Sequence, residues 1–217
     1  MRNTAASPRL RRRGKTLSDG AMCSLYNVAT NVEAIRALVQ TFNRPNLPEL
    51  GSIYPKYEAP IIRPHAQGNE LTMMAWGVPF APTGQKPRPI TNVRNTASPF
   101  WRSMLTDPAR RCLVPVTAFS EWTTDPDPVT GKKRLMWFGV KDAPLFAFAG
   151  IWRPTPDGER FAFLTSEPNE LVGPIHPKAM PVILDPTDYA RWLTTDFAGA
   201  CALQRPFPAD RMSIVDV

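Results

Sequence analysis

Apolar residues in this chain fall in short runs, and the spacing within the runs changes along its length. Near the start, Ile35, Leu38, Val39 and Phe42 recur at the three- to four-residue interval of a helix. Thr30 and Glu33 (T-x-x-E) predict a capping box at its start. Pro45 predicts its stop, because proline lacks the N–H and clashes with the preceding turn. After Pro60 the runs become strand-like: Ile61-Ile62, Leu71 to Trp76, Cys112 to Phe119, Leu135 to Val140, Leu145 to Ile151, Phe161 to Thr165 and Met180 to Leu184. Residues 123–134 (T-T-D-P-D-P-V-T-G-K-K-R) predict a polar hairpin or loop. Asp185-Pro186 opens a predicted helix through Tyr189, Trp192 and Leu193, with proline in its first turn. A last helix is predicted from Thr195 to Leu203. Strands in the middle with helices at the ends describe an α+β chain rather than βαβ alternation.

Composition sharpens this picture. The chain holds 25 prolines in 217 residues, about twice the usual ~5%, so long helices cannot dominate. Its 43% hydrophobic content is that of a globular domain. A chain of this length reads as one domain. No apolar run approaches the roughly 18 residues of a membrane-spanning helix. Three cysteines are too few, and odd in number, for a disulfide-framed fold. The net charge of +7 is unevenly spread: residues 1–20 hold six basic side chains against Asp19, a net +5, which leaves +2 for the rest. Residues 1–21 therefore read as a basic flexible extension, a targeting segment or a mis-assigned start before Met22. Residues 22–217 read as the domain.

No phosphate-binding glycine loop, nucleophile elbow or zinc motif is present. With His65 and His176 the only histidines and no C-x-x-C, no metal site and no cofactor are expected. Four positions draw attention. Cys23 follows Met22 directly, and if translation starts at Met22 and the methionine is removed, Cys23 carries a thiol and an α-amine on adjacent carbons. The amine has a pKa near ~8, so part of it is neutral at pH 7. A 1,2-aminothiol condenses with an aldehyde to a five-membered thiazolidine. The alternative for any cysteine is a structural one, which suits Cys112 in C-L-V-P-V and Cys201 in G-A-C-A-L. Glu121, in A-F-S-E-W at the end of an apolar strand, is either paired, functional or a solvated strand end, because an unpaired buried charge is costly. His176 lies in a loop stiffened by Pro174 and Pro177. Asn92 lies in P-I-T-N-V-R, where it could simply make a turn.

Taken together, in order, these segments resemble the SOS-response-associated peptidase (SRAP) family, whose members shield abasic sites in single-stranded DNA. The resemblance rests on Met22-Cys23, Trp76-Gly77, Asn92-Val93-Arg94, and Arg111-Cys112-Leu113-Val114-Pro115 running into Phe119-Ser120-Glu121-Trp122. It continues through Thr165 in F-L-T-S and from Ile175-His176 to Met180-Pro181-Val182-Ile183-Leu184. The chain departs from the family where C-G-R is replaced by Cys23-Ser24-Leu25, and where Lys178-Ala179 widens the common I-H-x-R-M-P.

The resemblance implies a strand-rich α+β single domain with a curved, barrel-like mixed sheet and a few flanking helices. It implies Cys23 as the crosslinking nucleophile, Asn92 as the residue that holds it, and Glu121 with His176 as the acid–base pair. It places Arg94 and Lys178 near the DNA backbone, with Thr165 and Trp76 also on the DNA side, Trp76 either stacking on a base or packing. The expected partner is single-stranded DNA with an abasic site, met by a monomer in the bacterial cytoplasm at the nucleoid, without a membrane. Two rival readings remain: an autoprocessing cysteine peptidase with residues 1–22 as propeptide, and a non-catalytic single-strand-binding module.

A chain translated from Met22 is expected to begin at Cys23, since methionine is removed before small residues. Edman sequencing that returned Met22 would remove the aminothiol and its chemistry.

Overall fold

The computed structural model describes residues 23–81 and 84–217; the extension expected at 1–21 lies outside the described residues. The strands in chain order are β1 (Tyr26–Asn27), β2 (Ser52–Ile53), β3 (Glu58–His65), β4 (Gly68–Trp76), β5 (Val78–Phe80), β6 (Arg88–Ile90), β7 (Asn92–Val93), β8 (Arg111–Val116), β9 (Ala118–Trp122), β10 (Leu135–Val140), β11 (Phe146–Thr155), β12 (Gly158–Ser166), β13 (Met180–Pro181), β14 (Ile183–Leu184) and β15 (Met212–Val215). The helices are α1 (Val32–Leu38), α2 (Pro99–Thr106), α3 (Tyr189–Thr194) and α4 (Phe197–Ala202).

Five strands close on themselves. β12 pairs in parallel with β4, β4 with β3, β3 with β8, β8 with β11, and β11 returns to β12, the last four pairings all antiparallel. Closure leaves these strands without an open edge. A second sheet, in the order β15-β10-β9-β1-β2, lies beside the barrel. The expected mixed, barrel-like sheet is therefore present.

The two sheets share one apolar core. Tyr26 of β1 is fully buried, 5.1 Å from Trp76 and 6.1 Å from both Phe148 and Phe163, edge-on to all three. Trp76 stacks on Phe163 at 5.2 Å and donates its indole N–H to the Thr91 carbonyl. Edge-on aromatic contacts of this kind add roughly 0.5–1.5 kcal/mol each beyond the area they bury.

Several details differ from the sequence pattern. The cap of α1 is Asn31, whose side chain accepts from the Ala34 N–H, one residue after the expected Thr30. That helix ends at Leu38 because Val39 is extended, so Phe42 lies off the helix, half-exposed against His65. The run from Cys112 to Phe119 is two strands. Thr117 breaks it, giving its N–H and its hydroxyl to the Asn27 carbonyl, and the chain passes there from the barrel to the second sheet. Helix α2, with Trp101, Met104 and Leu105 buried, sits mid-chain rather than at an end.

Gly150 marks the tightest approach in the barrel, paired with Cys112 on one side and Phe163 on the other. A Cβ there would meet Cys112 Sγ at 2.7 Å and Val114 Cγ2 at 2.8 Å. Gly150→Ala is therefore expected to cost about 1–3 kcal/mol through overpacking. An unchanged urea midpoint would show that the barrel yields at this point.

Candidate functional site

Cys23 lies three residues before Tyr26, so the pairing of β1 fixes its place. β1 runs antiparallel to β9, with Tyr26 opposite Phe119 and Asn27 opposite Ala118. The pairing continues past the strand end. The Leu25 carbonyl accepts from the Ser120 N–H at 3.1 Å and the Ser120 hydroxyl at 3.0 Å. The Cys23 thiol donates to the same carbonyl at 3.6 Å. Cys23 is thereby buried beside Glu121, the next residue of β9.

Three further groups meet there. Asn92, on β7 and opposite Phe163 of β12, donates its side-chain amide to the Cys23 carbonyl at 3.1 Å and to the Thr91 hydroxyl at 2.9 Å. The Glu121 carboxyl faces the Cys23 backbone N–H. His176 Nδ1 lies 3.9 Å from Glu121 Oε2 and 3.0 Å from the Ala179 carbonyl. A carbonyl can only accept, so Nδ1 carries a proton in that contact and Nε2 is the acceptor of the neutral ring. The loop holding His176 is tied down by its own N–H to the Val172 carbonyl and by Thr124, whose N–H and hydroxyl both reach the Ile175 carbonyl at 3.1 Å. Cys23, Asn92, Glu121 and His176, 153 residues apart at the extremes, thus form one cluster.

Its electrostatics follow from burial. Glu121 Oε1 has no hydrogen-bond partner among the described residues. Desolvation pushes the Glu121 carboxyl up to about 8, against a smaller opposing pull from the Cys23 N–H. Burial also pushes the Cys23 thiol well up, and the neighbouring Glu121 charge adds to it. At neutral pH both groups hold their protons. The carboxyl sits near the pH at which a group can both give and take one.

The expected DNA-side residues separate. Lys178 is exposed in the His176 loop. Arg94 is partly exposed and paired with Glu167, while its carbonyl accepts from Gln204. Trp76 is fully buried among aromatic rings, the environment of the packing alternative. Thr165 is buried, 1% exposed, and its carbonyl accepts from Gln204. Three positioning residues were not foreseen. Ser120 lay inside the quoted F-S-E-W segment, whereas Thr124 and Gln204 carried no signal. Among the described residues no group of three or more potential metal ligands occurs, and no helix is long and apolar enough to cross a membrane.

The Glu121 carboxyl sets a pH dependence of stability. Its folded value, about 8, lies above the ordinary 4.5. Between the two, the folded state keeps a proton that the unfolded chain releases, so stability falls as pH rises from 4.5 to 8. Glu121→Gln removes this loss. The variant is expected to gain Tm over the parent at pH 8, on the order of 5–10 °C, and little near pH 4.5. Equal gains at both pH values in a thermal scan would contradict a neutral buried carboxyl.

Residues 22–217 match the SOS response associated peptidase (SRAP) family. The chain is 30% identical over 215 residues to the abasic site processing protein YoqW of Bacillus subtilis and to that of Bacillus phage SPbeta, covering 90% of this chain and 92% of each relative. A crystal structure of a Bordetella bronchiseptica protein superposes with a TM-score of 0.70 at 25% identity, over 90% of this chain and all of the other. One from Bacteroides thetaiotaomicron superposes at 0.71 with 22% identity, over 89% and 92%, and shares the fold. With its domain matched from end to end and its fold shared by these structures, the chain belongs to the SRAP family.

Proposed function

We propose that this protein processes abasic sites in single-stranded DNA by joining Cys23 to the sugar as a thiazolidine. The observation that carries the reading is the meeting of the Cys23 nitrogen and sulfur with a buried carboxyl at Glu121 and a side-chain amide at Asn92. Its abasic-site-processing relatives, 30% identical over nearly their whole length, support the substrate.

In the full chain the Cys23 nitrogen is an amide and cannot attack. Removal of the residues before it leaves an α-amine at the same place, facing Glu121. The ring-opened abasic sugar presents an aldehyde. The neutral amine attacks its carbon, forming a C–N bond. The former carbonyl oxygen takes two protons and leaves as water, giving a Schiff base; Glu121 is placed to carry one of those protons. The Cys23 sulfur then adds to the same carbon, and its proton passes to the nitrogen. The net reaction is aldehyde plus aminothiol giving thiazolidine plus water. In the proposed order the amine acts first and the thiol, which burial keeps protonated, second. The closed ring has no iminium to drive strand cleavage.

Asn92 holds the Cys23 carbonyl and so orients both reacting groups, a positioning role. His176, with Nδ1 committed to Ala179, presents Nε2 for proton transfer as the sugar ring opens. Arg94 meets a phosphate by exchanging its Glu167 partner, and Lys178 offers a second cation.

A chain starting at Cys23, incubated with an abasic single strand, is expected to give an adduct that survives heating in detergent. Cys23→Ala abolishes it and Cys112→Ala does not, since Cys112 is buried in the barrel wall. Glu121→Gln and His176→Ala slow the adduct by roughly 10²–10⁴ at saturating DNA, the usual worth of an acid–base group. An adduct that formed equally fast with Cys23→Ala would end this reading.

A further inference from the structure

The hairpin between β9 and β10 leaves the site strand directly, one residue after the Glu121 and Trp122 pairs with Met136 and Leu135. Its base is closed by Thr123, whose N–H donates to the Arg134 carbonyl and whose hydroxyl accepts from the Arg134 N–H. Its far end is stiffened by Asp127. The Asp127 carboxylate accepts from the Val129 and Thr130 N–H groups, and its own N–H and carbonyl are bonded to Lys132 and Gly131. Thr124 ties the hairpin to the Ile175 carbonyl beside His176.

This braced hairpin carries three successive cations, Lys132, Lys133 and Arg134, all exposed. Among the described residues, neither Lys132 nor Lys133 has an ion-pair partner. Arg134 is 3.7 Å from Asp127, and its side chain is 64% exposed. The Thr130 and Val129 N–H groups hold the Asp127 carboxylate below its usual range, so it stays ionised, and with Asp125 it leaves residues 123–134 a net charge of +1, with the three cations together at one end. Lys133 lies three residues from Met136, the partner of Glu121, so the chain separates them by at most about 10 Å. On the function proposed above, a strand with its damaged sugar at Glu121 would have phosphates within reach of these long side chains.

Resting on the function proposed above, we propose that Lys132, Lys133 and Arg134 form a second phosphate-binding site, gripping the nucleic-acid backbone beside the damaged sugar. The braced loop presents the charges in place, so little ordering is needed on binding. The contact is to phosphates and carries no base preference.

The test uses a chain starting at Cys23 and a labelled single strand holding a tetrahydrofuran abasic analogue, which has no aldehyde and reads binding alone. The Lys132→Ala, Lys133→Ala, Arg134→Ala triple variant, with the parent's Tm, is expected to bind 10–100-fold more weakly at ~0.1 M salt. Its log Kd against log salt should be flatter by up to about 2, near 0.7 per lost contact. On a strand trimmed to one nucleotide either side of the analogue, parent and variant should converge. A parent with no salt-dependent binding would defeat the proposed function itself. A steep parent slope kept in the triple variant would overturn the hairpin site, as would a difference that persisted on the trimmed strand. Should the triple variant lose its Tm, Lys133→Ala alone is expected to lose about 0.7 of slope, and an unchanged slope overturns the site. Polyglutamate displacing the strand at equal charge would assign the hairpin to an acidic protein instead.

Discussion

The candidate site depends on the wedging of Tyr26 into the barrel's aromatic core. β1 is two residues long, and a strand that short has little hold of its own. The Tyr26 ring, buried against Trp76, Phe148 and Phe163, supplies it. With Tyr26 fixed, the Leu25 carbonyl falls under Ser120, and Cys23 has no choice but to lie beside Glu121. A residue near the start of a chain is ordinarily among its least ordered. Here the core reaches out to within three residues of it, and Trp76, which the resemblance left as either stacking on a base or packing, holds Tyr26 from behind.

Much of this was legible from residue order. Strands β3, β4 and β8 to β12 follow runs of apolar residues long enough to show themselves, whereas β5, β6 and β7 are two or three residues long and matched no such run. Three of the four clustered residues were conspicuous by type, a cysteine beside a start, a carboxylate closing an apolar strand and a histidine between prolines, while Asn92 could equally have made a turn. What could not be read were the contacts made by backbone atoms. The break at Thr117 is invisible because both halves of the run are buried, one in each sheet, and only the bond to the Asn27 carbonyl marks the corner. Thr124 and Gln204 act through carbonyls of residues far away in sequence, and no local pattern encodes that. Helix α2 hid because its apolar face is short and its opening proline resembles a turn.

The buried carboxyl and the buried thiol are costly in the folded state, each kept protonated by lack of water. Such a cluster of groups displaced from their ordinary proton affinities is what proton-moving chemistry needs. The surroundings spend stability on it: Asn92, Ser120 and the Thr124 clamp all act to hold polar groups where an apolar core would have been cheaper.

The order of these pieces along the chain also matters during synthesis. Cys23 is made near the beginning, while His176 follows 153 residues later. At ~5–20 residues per second that interval is roughly 8–30 s. Until the site closes, the thiol has the ordinary pKa of about 8.5 and, once clear of the ribosome, is open to oxidation and to electrophiles. Completion of the barrel and of the His176 loop is therefore also the event that takes this sulfur out of general circulation, so a ribosome stalled before the last strands would leave behind a chain more indiscriminately reactive than the finished protein.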